Sequence, residues 1–174
     1  MRQIMAAQLG VDAASLRWQI GSHDKPHLLG HPGWHFNLSH SGDWALLGMS
    51  PSAPIGVDIE CHKEMRDMTG IVRHQFSATE QAAFLTIACE AQVDWFFSVW
   101  SRKEACLKAL GSGLSVSSKS FEVDGKQASM DTAVPTHGQL CHMTVHNVPL
   151  PKAIEAKAAL ALVQPGSHHL THAF

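Results

Sequence analysis

Ile55-Gly56-Val57-Asp58-Ile59-Glu60 alternates strictly, with every second residue apolar, which is the period of a β-strand. Side chains at i and i+2 share one face of a strand. Ile55, Val57 and Ile59 therefore point one way, into a core. Asp58 and Glu60 point the other way together, with Gly56 leaving open space beside them. Two neighbouring carboxylates repel. That is tolerable on a solvated edge strand, or where a cation neutralises both, and oxygen-only ligands favour a hard ion such as Mg²⁺. Within these six residues both readings stand.

Working outward, the longest helix is predicted from Val93 to Leu110, stopping at Gly111 or Gly113. At 100° per residue, Trp100, Glu104 and Leu107 fall within about 60° of one another. Glu104 thus borders the apolar stripe, where a carboxylate needs a partner. A Glu104–Lys108 pair one turn apart is one candidate. A third oxygen ligand completing an Asp58/Glu60 site accounts better for a position at the edge of the core. Ser77-Ala78-Thr79-Glu80 is a capping box opening a helix to about Ala88, which gives Glu80 a sufficient role of its own beside that of a second candidate carboxylate. A shorter helix is predicted over Met65–His74.

Towards the N-terminus, Gln3–Leu9 is helix-like and Gly10 can end it, and Ser15–Ile20 alternates as a strand. Residues 21–33, rich in Pro and Gly, are predicted to be a loop. Strands Trp34–Leu38 and Trp44–Met49 follow, joined by a Ser41-Gly42-Asp43 turn. After the long helix come strand candidates Ser120–Val123, Leu140–His146 and Ala158–Val163. A helix followed by three strands thus occurs before residue 50 and again after residue 93. This order predicts an α+β fold of two pseudo-twofold-related halves, each a helix on a small antiparallel sheet. The expected division is a first half at 1–54, a second half at 55–164 with the metal site at the seam, and a flexible tail at 165–174.

The 174 residues are 45% hydrophobic, with 13 basic and 15 acidic side chains and a formal charge of −2. No concentrated basic face marks a nucleic-acid partner. No apolar run approaches the roughly 20 residues that span a bilayer, and the opening residues lack a signal-peptide core, so a cytoplasmic protein is expected. Four scattered cysteines fit free thiols. The 13 histidines invite a metal reading that their spacing does not support. His23, His27, His31 and His35 recur every fourth residue, but Pro26, Gly30, Pro32 and Gly33 break any helix there. The tail His168-His169 and His172 follows Pro165-Gly166, and His137, Cys141, His142 and His146 lack structural-zinc spacing. His40 sits between Ser39 and Ser41. Neighbours on a strand face opposite ways and no G-x-S-x-G elbow is present, so a Ser–His hydrolase is excluded. An anion cradle and a plain hairpin turn remain equally good accounts of that stretch.

Taken in order, Lys25-Pro26, Phe36-Asn37-Leu38-Ser39-His40-Ser41, Gly56-Val57-Asp58-Ile59-Glu60, Phe76-Ser77 with Glu80, and Trp100-Ser101-Arg102-Lys103-Glu104-Ala105 with Lys108-Ala109 and Gly111-Ser112-Gly113-Leu114 resemble the Sfp-type 4′-phosphopantetheinyl transferases. The resemblance covers residues 2–123 by motif and the last 50 by pattern. It implies transfer of the 4′-phosphopantetheine arm of coenzyme A to a serine of an apo acyl or peptidyl carrier protein. It implies Mg²⁺ held by Asp58, Glu60 and Glu104. It also implies coenzyme phosphates contacted by Lys25, Ser39, His40 and Lys108, with Glu104 as the base and Lys108 stabilising the leaving group. A full-length member of this kind is expected to be a monomer. Asp24 stands where the family carries Gly, and Arg2 matches an arginine inside the first-half helix. The first half is therefore expected to be incomplete and to expose apolar surface. A relative that binds coenzyme A or carrier protein without turnover, and a metal-dependent phosphoesterase, are the alternatives.

Overall fold

The chain is described here by a computed structural model covering residues 1–21, 25–111 and 115–167. Helix α1 (Arg2–Leu9) ends as expected at Gly10, whose φ of 68° is left-handed. Its Met5 and Ala6 pack with Leu16, Leu28 and Phe36 into a small apolar cluster. The stretch read as a loop over 21–33 instead contains β2 (Pro26–Leu28), which pairs antiparallel with β1 (Trp18–Ile20). Three residues are too few for a period to show, and Pro26 opens the strand, where a missing N–H is tolerated. Strands β3 (His35–Ser41) and β4 (Trp44–Ser50) form a hairpin that closes at Gly42, φ 56°. β3 therefore runs three residues past its expected end. In this part Ile4, Ile20, Leu29, Leu38 and Trp44 are exposed.

Strand β5 (Ile55–Cys61) leads to helix α2 (Met68–Gln75), α3 (Ala78–Leu85) and the 22-residue α4 (Cys89–Leu110). The Ser77/Glu80 capping box is present in full. α4, about 33 Å long at 1.5 Å per residue, stops at Gly111, φ 65°. Strands β6 (Ser129–Thr136), β7 (Gln139–Asn147) and β8 (Ala156–Val163) complete an antiparallel sheet in the order β5-β8-β7-β6. The architecture is α+β.

One strand expectation after α4 needs correction. Residues 120–123 form no strand, because side chains take their backbone groups: Phe121 O accepts from Lys103 Nζ and Val123 N–H donates to Glu80 Oε1. The strand lies later, at β6, where polar residues and Pro135 hid it. β6 is a sheet edge, which is where a strand tolerates proline.

α4 is apolar on most of its circumference because it is covered on most sides. Ala105, Cys106 and Ala109 join the core with Met143, Val145, Ala159 and Ala161 of the sheet, and Phe96 and Phe97 join it with Val72, Phe76 and Phe84 of α2 and α3. Phe96 stacks between Phe76 (5.4 Å) and Trp100 (5.8 Å). Each such buried phenylalanine contributes about 1.5–3 kcal/mol. The Ala-rich β8 is a central strand, and its small side chains let the helix lie close. Among the described residues no helix is long and apolar enough to cross a membrane. All four cysteines are free thiols.

Candidate active site

The site is a ladder between β5 and α4, which run in opposite directions. Two strand residues advance about 6.6 Å and four helix residues 6.0 Å, so one strand pair matches one helical turn. A Cβ at Gly56 would lie 2.0 Å from Ala105 O and 2.3 Å from Ala109 N. The open space expected beside the carboxylates is therefore filled by helix backbone. One rung up, Asp58 Oδ1 lies 2.6 Å from Lys108 Nζ. On the next rung the charge of Glu60 reaches Glu104 and pushes its carboxyl pKa upward. Beyond them His62 stacks on Phe97 at 5.2 Å, and its Nε2 lies 4.0 Å from Asp94.

The edge of β5 away from β8 is closed by side chains. Asn37 Oδ1 accepts from Val57 N–H (2.8 Å), Ser39 Oγ from Ile59 N–H (3.3 Å) and Ser41 Oγ from Cys61 N–H (3.1 Å). Each serine hydroxyl then donates a hydrogen bond to a carboxylate: Ser39 to Asp58 Oδ1 (3.0 Å) and Ser41 to Glu60 Oε2 (3.2 Å). Ser39 also accepts from Lys108 Nζ at 2.9 Å. One donor and two lone pairs are thus fully used. This seam was missed in the sequence, where Ser39 and Ser41 were weighed as a cradle or a turn. Its trace is the period-2 polar run 37, 39, 41, which echoes the alternation of β5.

The carboxylates sit in low dielectric. Burial raises Asp58 to about 6, against the opposing pull of Lys108 and Ser39, and Glu60 pushes it further up. Burial likewise raises Glu104, with Lys108 pulling down and Glu60 pushing up. Asp58 Oδ2 is buried and makes no hydrogen bond. As placed, no three His, Cys, Asp or Glu side chains among the described residues stand close enough to hold a metal ion. The donor set is nonetheless all oxygen, with one buried lone-pair face unclaimed, and that chemistry suits a hard cation.

The remaining predicted residues are dispersed. His40 is exposed on the opposite face of β3 from Ser39. Lys25 turns its ammonium onto the carbonyls of Lys108 (2.7 Å), Ala109 (3.0 Å) and Ile55 (3.3 Å), and burial lowers it to about 8. Glu80 is held by the capping box and by Lys103 Nζ at 2.8 Å, a pair with 2% and 4% of its side chains exposed. Lys103 also donates to Ser118 O and Phe121 O. Its neighbour Arg102, wholly buried, donates to Asp124 O, Gln127 O and Asn147 Oδ1. These two cations of the Trp100–Lys108 stretch anchor loops rather than the ladder. The motif residues Ser112-Gly113-Leu114, Asp24, His23 and the histidines of the tail lie outside the described residues. An open groove of about 500 Å³ lies between α2 and Trp100, and both basic (Lys63, Arg66) and acidic (Glu64, Asp67) side chains line it.

A sequence model of the 4′-phosphopantetheinyl transferase superfamily matches residues 54–161, which include β5, α4 and most of β8. The chain is 34% identical over 152 residues to the 4′-phosphopantetheinyl transferase ffp of Bacillus subtilis, covering 85% of this chain and 65% of that protein. It is 32% identical to the 4′-phosphopantetheinyl transferase Sfp of Bacillus subtilis (strain 168), again covering 85% and 65%. It is 29% identical to the L-aminoadipate-semialdehyde dehydrogenase-phosphopantetheinyl transferase of Mus musculus, covering 75% and 46%. The chain thus spans about two thirds of the length of its Bacillus relatives. The matched segment carries both sides of the ladder, and the chain belongs to the 4′-phosphopantetheinyl transferase superfamily.

Proposed function

We propose that the protein transfers the 4′-phosphopantetheine group of coenzyme A to a serine hydroxyl of an apo acyl or peptidyl carrier protein. The observation that carries this reading is the β5–α4 ladder, in which Asp58 is paired with Lys108 while the charge of Glu60 reaches Glu104. A Mg²⁺ ion held by Asp58, Glu60 and Glu104 would neutralise the pyrophosphate. Lys108, 30% exposed, would carry positive charge to the same oxygens and stabilise the 3′,5′-bisphosphate leaving group. Ser39 orients Lys108 and Asp58 towards each other, and His40 would meet a coenzyme phosphate from the outer side of the hairpin. The carrier serine oxygen forms the new bond to the β-phosphorus, the bond to the leaving group breaks, and the serine proton passes to Glu104.

A division into halves at 54/55, ahead of β5, is part of this proposal and is supported by two apolar clusters, one drawing on residues 5–49 and the other on residues 65–163. The test is incubation with coenzyme A, Mg²⁺ and a panel of apo carrier proteins, followed by mass spectrometry. A gain of one pantetheine arm on the carrier serine is expected. Coenzyme A binding by calorimetry without any mass gain would replace this reading with that of a non-transferring relative.

A further inference from the structure

We propose that Lys25 is a positioning residue for Lys108: its ammonium clamps the last turn of α4 to the start of β5. The clamp itself rests on geometry, and its catalytic consequence rests on the transferase reading above. A helix leaves its last four carbonyls without intrahelical partners. In α4 the carbonyl of Leu107 is taken by Gly111 N–H, and those of Lys108 and Ala109 are taken by Lys25 Nζ at 2.7 and 3.0 Å. The third hydrogen goes to Ile55 O at 3.3 Å, at the first residue of β5. An ammonium has three donors and no acceptor, so all its hydrogens have acceptors here.

The charge is also well placed, because a cation at a helix C-terminus meets the negative end of the macrodipole. Gly111 makes room for it: a Cβ there would lie 2.9 Å from Lys25 Cδ, and φ is +65°. The clamp therefore acts on Lys108 itself, holding its carbonyl while its side chain reaches Asp58 one rung further along. Along the chain Lys25 lies 83 positions before Lys108, 84 before Ala109 and 30 before Ile55. In space it joins the β1–β2 part of the fold to the end of the catalytic helix. A direct contact between Lys25 and a coenzyme phosphate would require one of these bonds to be given up.

The experiment uses the full chain with Lys25→Met, Lys108→Ala and the double variant. Without any ligand, Lys25→Met should speed amide hydrogen exchange at Gly111 about tenfold, since the turn it closes loses its clamp. With coenzyme A and a carrier protein, Lys25→Met should lower kcat/KM. In the Lys108→Ala background it should lower it by no more than about twofold further, because the effect passes through Lys108. Losses that multiply in the double variant would mean direct phosphate contact and overturn the proposal. Unchanged exchange at Gly111 would overturn the clamp as well. A wild-type chain inactive on every carrier protein would sink the transferase reading alone, and the exchange result would still decide the clamp. Lys25→Gln, with two donors on a shorter stem, serves the same comparison if the Met variant does not fold, and its exchange should also rise.

Discussion

Lys108 Nζ lies 2.6 Å from Asp58 Oδ1, although the two residues are 50 positions apart in the chain. This pair joins α4 to β5 at the middle of the ladder and leaves Asp58 Oδ2 without a partner. It replaces the simpler expectation that Lys108 would pair with Glu104 along the helix.

Lys108→Ala should therefore be felt twice. Asp58 would be left buried without its cation, at a cost of about 1–3 kcal/mol, read as a lower denaturation midpoint. Coenzyme A affinity should fall at least about tenfold, with a weaker salt dependence, because the proposed function has Lys108 meeting a charged phosphate. Unchanged affinity at both low and high salt would remove Lys108 from the binding site.

Gly56→Ala should be among the most damaging small substitutions in the chain. Its Cβ would meet backbone atoms of α4 at 2.0 and 2.3 Å, and backbone cannot rotate away as a side chain can. A loss of about 1–3 kcal/mol is expected from overpacking, with activity reduced further because Lys108 and Glu104 are pushed off their rungs. Thermal denaturation and turnover measured together check this.

Glu104→Gln should keep the fold and abolish most turnover. It deletes the charge and, on the proposed mechanism, the proton acceptor while preserving shape, and groups of this kind account for about 10²-fold or more in rate. Near-normal turnover with an unchanged melting point would assign the proton to a different acceptor.

Lys103→Met breaks a pair in which both partners are almost fully buried. An uncompensated Glu80 should cost about 3–5 kcal/mol. The 118–123 segment, held through Ser118 O and Phe121 O, should become the first site of proteolysis. Limited digestion with mapping of the first cut tests this.

Acid should loosen the 124–127 turn. The backbone N–H of Lys126, followed by that of Gln127, holds Asp124 below its ordinary value of 3.8. A carboxylate depressed in the folded state stabilises above its unfolded pKa and loses that contribution as pH falls through the folded one. Asp124→Asn should therefore flatten the fall in stability below about pH 4, as followed by denaturant titration at several pH values.

The sequence alone determined the local grammar of this protein. The alternation at 55–60 made β5 and put Asp58 and Glu60 on one face, the Ser77/Glu80 spacing made a helix start, and Gly10 and Gly111 ended helices. Each of these is settled by residues a few positions apart, through sterics and short-range hydrogen bonds. Partnerships were decided only by tertiary structure. Ser39 serving Asp58 from 19 positions away, Lys25 capping a helix 83 positions ahead, and Lys103 reaching Glu80 rather than solvent all depend on which surfaces pack. So does the meaning of Gly56, which read as open space beside the carboxylates and is room for a helix. Residue type restricts what a side chain can bond to, but burial and distance choose among its partners, and those follow from how β5, α4 and the β3–β4 hairpin are stacked.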